Sequence, residues 1–170
     1  MYKDYPLSEG ALVAEICNLL HTNLPDDLSL LCEVMYTKFL PGEVQVDELT
    51  QRARADLVVA TSSSLGNDAV AAKFVIEVKR ASAPKSQIDA DLKRLSAVRR
   101  AHGKVRTFMF LVSEAERPDR FVNADGVSRS GKHKIPHSSG YFRVRRTVKA
   151  AHAFTKKGKA QYACLIEAFA

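Results

Sequence analysis

The sequence predicts an α/β domain in which helices flank a mixed central β-sheet. Two segments repeat apolar residues at helical spacing, and several short apolar runs rich in β-branched residues lie around them, bounded by turn-forming residues. The predicted order is helix, strand, strand, strand, helix, strand, and a basic segment follows. We expect one domain over residues 1–170, with a core at about 8–112 and a basic C-terminal extension at 113–170.

The first predicted helix begins at Ser8, its expected N-cap, and ends near His21. Its apolar residues recur at i, i+4, i+7 and i+8: Leu12, Ile16, Leu19 and Leu20. The turn Pro25-Asp26-Asp27 then leads into a predicted strand over residues 28–40, which Pro41-Gly42 ends.

Two further strands are predicted at residues 55–61 and 72–80, separated by a polar loop at 62–68. The second helix is predicted to start with a capping box, in which Ser86 is the N-cap and Asp89 lies three positions on. It ends near Gly103, and one apolar stripe runs along it: Ile88, Leu92, Leu95 and Val98.

After the second helix, residues 105–112 form an apolar predicted strand. Residues 117–140 are rich in Gly, Ser, Arg, Lys and His, which predicts a long loop or lid. Two more strands are predicted at 141–148 and 160–169.

The second and third strands carry acidic and basic side chains in an apolar context. Glu77 and Lys79 are two positions apart, so they share one face of a strand, about 7 Å from each other. Asp56 opens the preceding strand, and a hairpin between the two strands would bring it near Glu77. Converging carboxylates repel each other unless a cation lies between them, and such hard oxygen ligands suit Mg²⁺ or Mn²⁺. Lys79 would then hold or deprotonate a water, or stabilise charge on phosphate oxygens.

Asp56 and the triplet Glu77-Val78-Lys79, within this order of elements, resemble the PD-(D/E)xK nuclease superfamily over residues 8–112. The resemblance implies a restriction-endonuclease-like fold and a Mg²⁺- or Mn²⁺-dependent endonuclease that hydrolyses phosphodiester bonds in DNA. It implies that Asp56 and Glu77 hold the metal. The sequence departs from the pattern at Ala55, where the superfamily is named for a proline.

The resemblance also implies an acidic residue from the first helix. Glu9 and Glu15 are the candidates, and Glu9 is preferred because the run Ser8-Glu9, followed by apolar positions 12, 13 and 16, looks more like that helix in the superfamily. Gln87 resembles a further position that sometimes lines such sites.

A structural ion pair remains an alternative, because exposed strands often pair Glu with Lys. Glu33 either supports the metal site or forms a surface pair. Asp89 and Asp91 are predicted to be helix-start charges that interact favourably with the helix dipole.

Charge is distributed unevenly along the chain. Residues 1–79 hold 6 Lys/Arg and 12 Asp/Glu, whereas residues 80–170 hold 20 and 7. A basic half of this size predicts a polyanionic partner, here nucleic acid, and the alternative is a solvated basic surface. For the arginines of the predicted strand at 141–148 and the lysines that follow it, the alternative is a solvated edge strand. The predicted DNA contacts are Arg129, Lys132, Lys134, Arg143, Arg145, Arg146, Lys156 and Lys157.

Histidine and cysteine spacing does not favour a zinc site. His133 and His137 are four apart, but Pro136 between them argues against a helix, so we expect them to contact phosphate or bases. The cysteines are Cys17, Cys32 and Cys164, which we interpret as small buried hydrophobic residues rather than disulfide partners or zinc ligands.

No apolar run approaches the roughly 18 residues needed to span a membrane, and the first residues lack the apolar core of a signal peptide. We therefore expect a cytoplasmic protein. A homodimer or a partner chain is expected too, because cutting both DNA strands usually takes two sites. The alternative functions are a non-catalytic nucleic-acid-binding module and a partner subunit of a nuclease or transposition complex.

Overall fold

The computed structural model describes residues 8–40, 52–64, 70–114, 116–150 and 160–170. Within them the chain forms an α/β fold with a seven-stranded mixed sheet and two α-helices, which confirms the predicted class. The helices are α1 (Glu9–Asn23) and α2 (Lys85–Ala101). The strands are β1 (Leu28–Met35), β2 (Arg54–Thr61), β3 (Ala72–Arg80), β4 (Arg106–Ser113), β5 (His133–Lys134), β6 (Tyr141–Lys149) and β7 (Tyr162–Phe169).

The strand order across the sheet is β1-β2-β3-β4-β7-β6-β5. The strands β1, β2 and β3 are antiparallel neighbours, and β4 is parallel to β3. A parallel neighbour needs a crossover connection, which α2 supplies. The segment after β4 extends the same sheet, because β7 pairs antiparallel with β4 and β6 pairs with β7.

The N-terminal helix α1 packs against one face of the sheet. Ser8 caps it as predicted, since its Oγ accepts a hydrogen bond from the N–H of Ala11 at 3.1 Å. Leu12 is buried against Leu57 and Val78 in a small apolar cluster. The predicted stripe is wrong at Leu19, which is 57% exposed, because the helix turns that position away from the sheet.

The second helix α2 starts earlier than the sequence suggests. Pro84 is its N-cap, and the carbonyl of Pro84 accepts from the N–H groups of Gln87 and Ile88. The predicted capping box is therefore wrong, because Ser86 already lies inside the first turn. The predicted apolar stripe is confirmed, since its four residues are all buried: Ile88, Leu92, Leu95 and Val98.

The first strand ends at Met35 rather than at residue 40. A short 3-10 helix, Tyr36–Lys38, follows it. The side chains of Tyr36 and Phe39 enter the larger of the two apolar clusters, here called the main core, which joins the sheet to α2. An apolar run of this kind fits a strand or a buried turn equally well. The pairing of β1 with β2 is interrupted at Glu33, which has a left-handed φ of 55°.

Residues 117–140 are largely irregular, as predicted, but they do not form a free lid. Phe121, Val122 and Ile135 are buried in the main core, and a single bridge joins Val122 to Ser128. These side chains anchor the segment to the sheet. No helix in the described part of the chain is long and apolar enough to cross a membrane.

The cysteines are not all buried. Cys164 is buried as predicted, whereas Cys17 is half-buried and Cys32 is exposed. The prediction is wrong for Cys32 because its position on the edge strand β1 leaves one side of it open to solvent.

Candidate active site

The hairpin of β2 and β3 brings Asp56 beside Glu77. The antiparallel pairs Leu57↔Ile76 and Val58↔Val75 set a register in which Asp56 lies opposite Glu77. Asp56 Oδ2 accepts a hydrogen bond from the N–H of Val78 at 2.7 Å, and the two carboxyl groups are close enough for the charge of Asp56 to raise the pKa of Glu77. The predicted meeting of the two carboxyl groups is therefore present.

Glu77 is one of the buried residues of the site. Glu77 is 3% exposed, and its side chain accepts a hydrogen bond from the hydroxyl group of Tyr36. Burial, followed by repulsion from Asp56, raises the pKa of Glu77 to about 8. Burial also raises the pKa of Asp56, although hydrogen bonds from Val78 and Glu77 oppose the rise. The two acids can share a proton at neutral pH when no cation is bound between them.

Lys79 lies on the same face of β3 and bridges two acids. Its Nζ is 2.9 Å from Glu9 Oε1 and 3.2 Å from Asp91 Oδ2. Burial alone would lower the pKa of Lys79, but the hydrogen bonds and charges of Glu9 and Asp91 outweigh it and raise the pKa. Lys79 is therefore an ammonium ion at neutral pH.

Of the two candidate acids on α1, the structure brings only Glu9 to the site. Glu9 lies in the first turn of α1, where its carboxylate reaches Lys79, and its side chain is 42% exposed. Glu15 is exposed further along the helix. Gln87 is exposed on the first turn of α2, and within the described residues its side chain makes no hydrogen bond with the acids or with Lys79.

Asp91 is a site residue that the sequence interpretation missed. It is not a helix-start charge: α2 has no acid in its first turn, and Asp91 is 3% exposed between Lys79 and Arg94. Its spacing from Ile88 and Leu95 placed it within the apolar stripe, and an acid at such a position is a signal for a buried partner. Asp89 also differs from the prediction, since it pairs with Arg120 at 2.5 Å.

Tyr36 and Arg94 complete the surroundings of the acids. Burial, followed by the charge of Glu77, raises the pKa of Tyr36, so the phenol stays neutral and donates to Glu77. Burial by itself would lower the pKa of Arg94, but Asp91 and Glu77 raise it. Nothing in the spacing of Tyr36 indicated this role, because the 3-10 helix that positions it has no clear sequence pattern. Glu33, by contrast, is exposed and makes no side-chain hydrogen bond with the site among the described residues.

The donor set at this site fits a hard divalent cation. In the described residues no group of three or more His, Cys, Asp or Glu side chains forms a ready-made metal cage. Mg²⁺, however, is usually held by one or two carboxylates with water and substrate phosphates completing its shell. Asp56 and Glu77 provide such a pair, and a cation between them would relieve the repulsion that raises the pKa of Glu77.

Six of the basic residues predicted to contact DNA are described, and they lie at or near β5 and β6, toward the end of the sheet that is farther from β1. Most of them are exposed, namely Arg129, Lys132, Lys134, Arg145 and Arg146, whereas Arg143 is half-buried. Arg145 differs from a free contact residue because it forms an ion pair with Glu167. Lys156 and Lys157 lie outside the described residues.

The two histidines of the basic segment do not form a pair of ligands. His133 is half-buried and stacks on Phe142 with ring centroids 5.2 Å apart. His137 is exposed with a left-handed φ of 52°. The expectation that they contact phosphate or bases remains a prediction.

The described residues thus define an α/β protein with a pair of acids, Glu77 buried and Asp56 half-buried, and a doubly paired lysine on adjacent strands. No protein-family model matches the chain, and comparisons with the curated proteins and with the solved structures gave no match. Function is therefore inferred from the chemistry of the site.

Proposed function

We propose that the protein is a metal-dependent DNA endonuclease with a restriction-endonuclease-like core. The observation that carries this proposal is the meeting of Asp56, Glu77 and Lys79 on two paired strands. The order α1, β1, β2, β3, α2, β4 and the position of these residues on β2 and β3 agree with the resemblance to the PD-(D/E)xK superfamily.

Asp56 and Glu77 would hold Mg²⁺ or Mn²⁺, with Glu9, whose charge acts on Asp56, as a further acid from α1. When bound, the ion supplies a Lewis acid for a phosphate oxygen and lowers the pKa of a coordinated water. Binding requires both carboxyl groups in the ionised form, so it displaces the proton that the pair holds without a cation. Tyr36 then keeps Glu77 oriented through its hydroxyl group.

Lys79 acts as a cation rather than as a base. Glu9 and Asp91 keep it protonated, so it has no lone pair with which to accept a proton from water. An ammonium ion at this place stabilises the negative charge that develops on phosphate oxygens during hydrolysis. If Glu9 turns toward the metal, Asp91 still holds Lys79 on the same face of the sheet.

The basic surface around β5 and β6 would hold the DNA backbone. The strands β3 and β6 are separated by β4 and β7 in the sheet, which corresponds to roughly 14 Å at the usual strand spacing. One duplex can contact both regions, because that separation is within the width of a DNA helix. Arg146, Lys132 and Lys134 are the exposed cations best placed for such phosphate contacts.

Incubation of the purified protein with supercoiled plasmid tests the activity directly. We expect nicked or linear product with Mg²⁺ or Mn²⁺ and none with a chelator. Linear product formed without a nicked intermediate would indicate two sites acting together, as in a homodimer. A wild-type protein that binds plasmid but leaves it intact with every metal would contradict the proposal.

Lys73, on the same strand as Lys79, provides a matched control for the role of Lys79 in cleavage. Lys79→Ala should reduce cleavage by at least about 100-fold, because it removes charge stabilisation at the reacting phosphate. Lys73→Ala removes an exposed lysine from the same strand and should cut at the wild-type rate. Equal loss in both variants would indicate a general effect of charge rather than a site at Lys79.

A non-catalytic nucleic-acid-binding module is the second candidate. One observation favours it: Lys79 is already paired with both Glu9 and Asp91, as in a structural ion-pair network. Such a protein would bind DNA equally well with Mg²⁺ and with a chelator and would never cut it. A partner subunit of a nuclease or transposition complex would cut only in the presence of its partner.

A further inference from the structure

Cys17 and Cys32 are neighbours in space although 15 residues separate them in sequence. Their Sγ atoms lie 3.2 Å apart, with Cys17 on α1 and Cys32 on β1. Cys17 is half-buried and Cys32 is exposed, whereas the third cysteine, Cys164, is buried on β7. The spacing of the two residues matches no disulfide or metal motif, so only the packing of α1 on the sheet reveals the pair.

We propose that Cys17 and Cys32 are a thiol modification site that closes to an intramolecular disulfide bond. A disulfide has an S–S length of about 2.05 Å, so the two sulfur atoms need to approach each other by only about 1.2 Å. Cys32 is open to a small oxidant in solution, and Cys17 lies behind it as the second thiol. This arrangement of one accessible and one adjacent thiol is what an exchange reaction requires.

The reaction partner is a low-molecular-weight disulfide such as oxidised glutathione. The thiolate of Cys32 attacks one glutathione sulfur, forms a mixed disulfide and releases one glutathione thiolate. The thiolate of Cys17 then attacks the sulfur of Cys32 and releases the second glutathione. Two protein thiols are oxidised, two glutathione thiols are formed, and the two protons of the protein thiols end on glutathione.

The bond would fasten α1 to the sheet. Leu12 is the one buried residue of α1 among the described residues, and Cys17 packs against the same small cluster with Leu57 and Val78. A covalent link in the middle of α1 therefore restrains a helix that is otherwise held by few buried contacts. The same helix carries Glu9, so the bond also fixes the helix from which Glu9 reaches Lys79.

The thiol of Cys32 reacts slowly at neutral pH. Burial, with a contribution from the contact with Cys17, raises the pKa of Cys32 to about 11, which keeps the thiolate fraction small. The exchange is therefore best followed at a pH of about 8.5, where the thiolate is more abundant.

The test uses the full-length reduced protein, oxidised glutathione and a count of remaining thiols by alkylation under native and denaturing conditions. We expect two of the three thiols to be lost, the mass to fall by about 2 Da and the chain to stay monomeric on a non-reducing gel. Trypsin leaves both cysteines in the peptide 4–38, which has no Lys or Arg before Lys38. Cleavage before Asp26 separates them, so the two fragments remain joined only if the disulfide is present.

Two variants identify the pair. The Cys164→Ser protein should form the disulfide as the wild type does. In the Cys32→Ser protein, Cys17 should remain a free thiol. Three outcomes would overturn the proposal: all three thiols remaining free, a stable glutathione adduct on Cys32 with Cys17 still open to alkylation, or a disulfide-linked dimer. Because the decisive readout is made on the wild-type chain, a variant that fails to fold does not affect it.

Discussion

Asp91 on α2 places its Oδ2 atom 3.2 Å from the Nζ atom of Lys79 on β3. The same carboxylate also accepts from Arg94, so one buried acid neutralises two cations. Lys79 in turn reaches Glu9 on α1. This chain of ion pairs connects both helices with the strand that carries the proposed active site.

Replacement of Asp91 tests the importance of this buried pairing for stability. Asp91→Asn should lower the free energy of unfolding by about 2–4 kcal/mol, because Lys79 loses one anionic partner and Arg94 loses its own in a poorly solvated place. Urea denaturation followed by circular dichroism measures the change. Asp119→Asn is the control, since Asp119 pairs with Arg117 but is 72% exposed, and it should change stability by less than about 0.5 kcal/mol. An Asp91→Asn protein as stable as the wild type would contradict the pairing.

The role of Lys79 as a cation predicts different effects for two substitutions. Lys79→Arg keeps a positive charge that cannot act as a base, whereas Lys79→Gln removes the charge. We expect Lys79→Arg to cut plasmid at least about tenfold faster than Lys79→Gln. Single-turnover cleavage rates provide the comparison, with thermal unfolding as a check that both variants are folded. Equal inactivity of two folded variants would instead favour a proton-accepting lysine.

Glu77 is expected to destabilise the protein when no metal is bound. Its pKa of about 8 lies above the ordinary value of 4.5, so the folded state binds a proton more tightly than the unfolded state does. The stability that this proton provides is complete below the ordinary pKa and is lost as the pH rises through about 8. Glu77→Gln imitates the protonated form. At pH 8 its free energy of unfolding should therefore exceed that of the wild type by more than about 1 kcal/mol.

Two conditions should remove that advantage of Glu77→Gln. Near pH 4 both proteins carry a neutral side chain at this position, so their stabilities should converge. Addition of Mg²⁺ should stabilise the wild type selectively, because only the ionised acid pair binds it. A Glu77→Gln protein that is less stable than the wild type in chelator at pH 8 would contradict the burial argument.

The contribution of Glu167 to stability should depend on pH in the opposite sense. Burial by itself would raise the pKa of Glu167, but hydrogen bonds from Arg106 and Arg145 outweigh it and lower the pKa. A lowered pKa stabilises the folded state above the ordinary pKa of 4.5, and the effect disappears as the pH falls through the lower folded value. Glu167→Gln should cost about 1–2 kcal/mol at pH 7, and the cost should shrink as the pH falls below the ordinary pKa of 4.5. The exposed Glu116 provides the control, since Glu116→Gln should show no such trend.

The proposed DNA surface can be tested by salt dependence. Arg146→Ala and Lys134→Ala should each weaken binding of a short duplex and reduce the slope of log K against log salt by about 0.9 per lost phosphate contact. Lys104→Ala, an exposed lysine beyond the end of α2, is the control of equal charge change. Loss of affinity of the same size with Lys104→Ala would indicate a general charge effect instead of a surface at β5 and β6.

The sequence predicted the strand residues of the site because strands impose a simple geometry. Alternation placed Glu77 and Lys79 on one face of β3, and a hairpin around a polar loop placed Asp56 opposite Glu77. These relationships depend on local spacing and on one turn, so they can be inferred without knowledge of the remaining fold.

Tyr36, Asp91 and Arg94 could not be assigned in the same way. Tyr36 lies 41 residues from Glu77 in sequence, and the 3-10 helix that brings them together follows an apolar run that is also typical of a strand. Asp91 falls within the apolar stripe of α2, which signals a buried partner, but which partner it meets depends on how α2 docks on the sheet. The neighbouring sulfur atoms of Cys17 and Cys32 likewise depend on how α1 packs, which periodicity does not determine.

The position of β7 between β4 and β6 has a consequence for the way the molecule is made. The chain produces β5 and β6 before β7, yet within the described sheet these two strands connect to β4 only through β7. Until β7 is synthesised, the backbone groups along one side of β4 therefore lack hydrogen-bond partners. An unpaired strand edge of this kind can associate with other partly synthesised chains. Insertion of β7 between β4 and β6 is therefore the step that completes the hydrogen bonding of the described sheet.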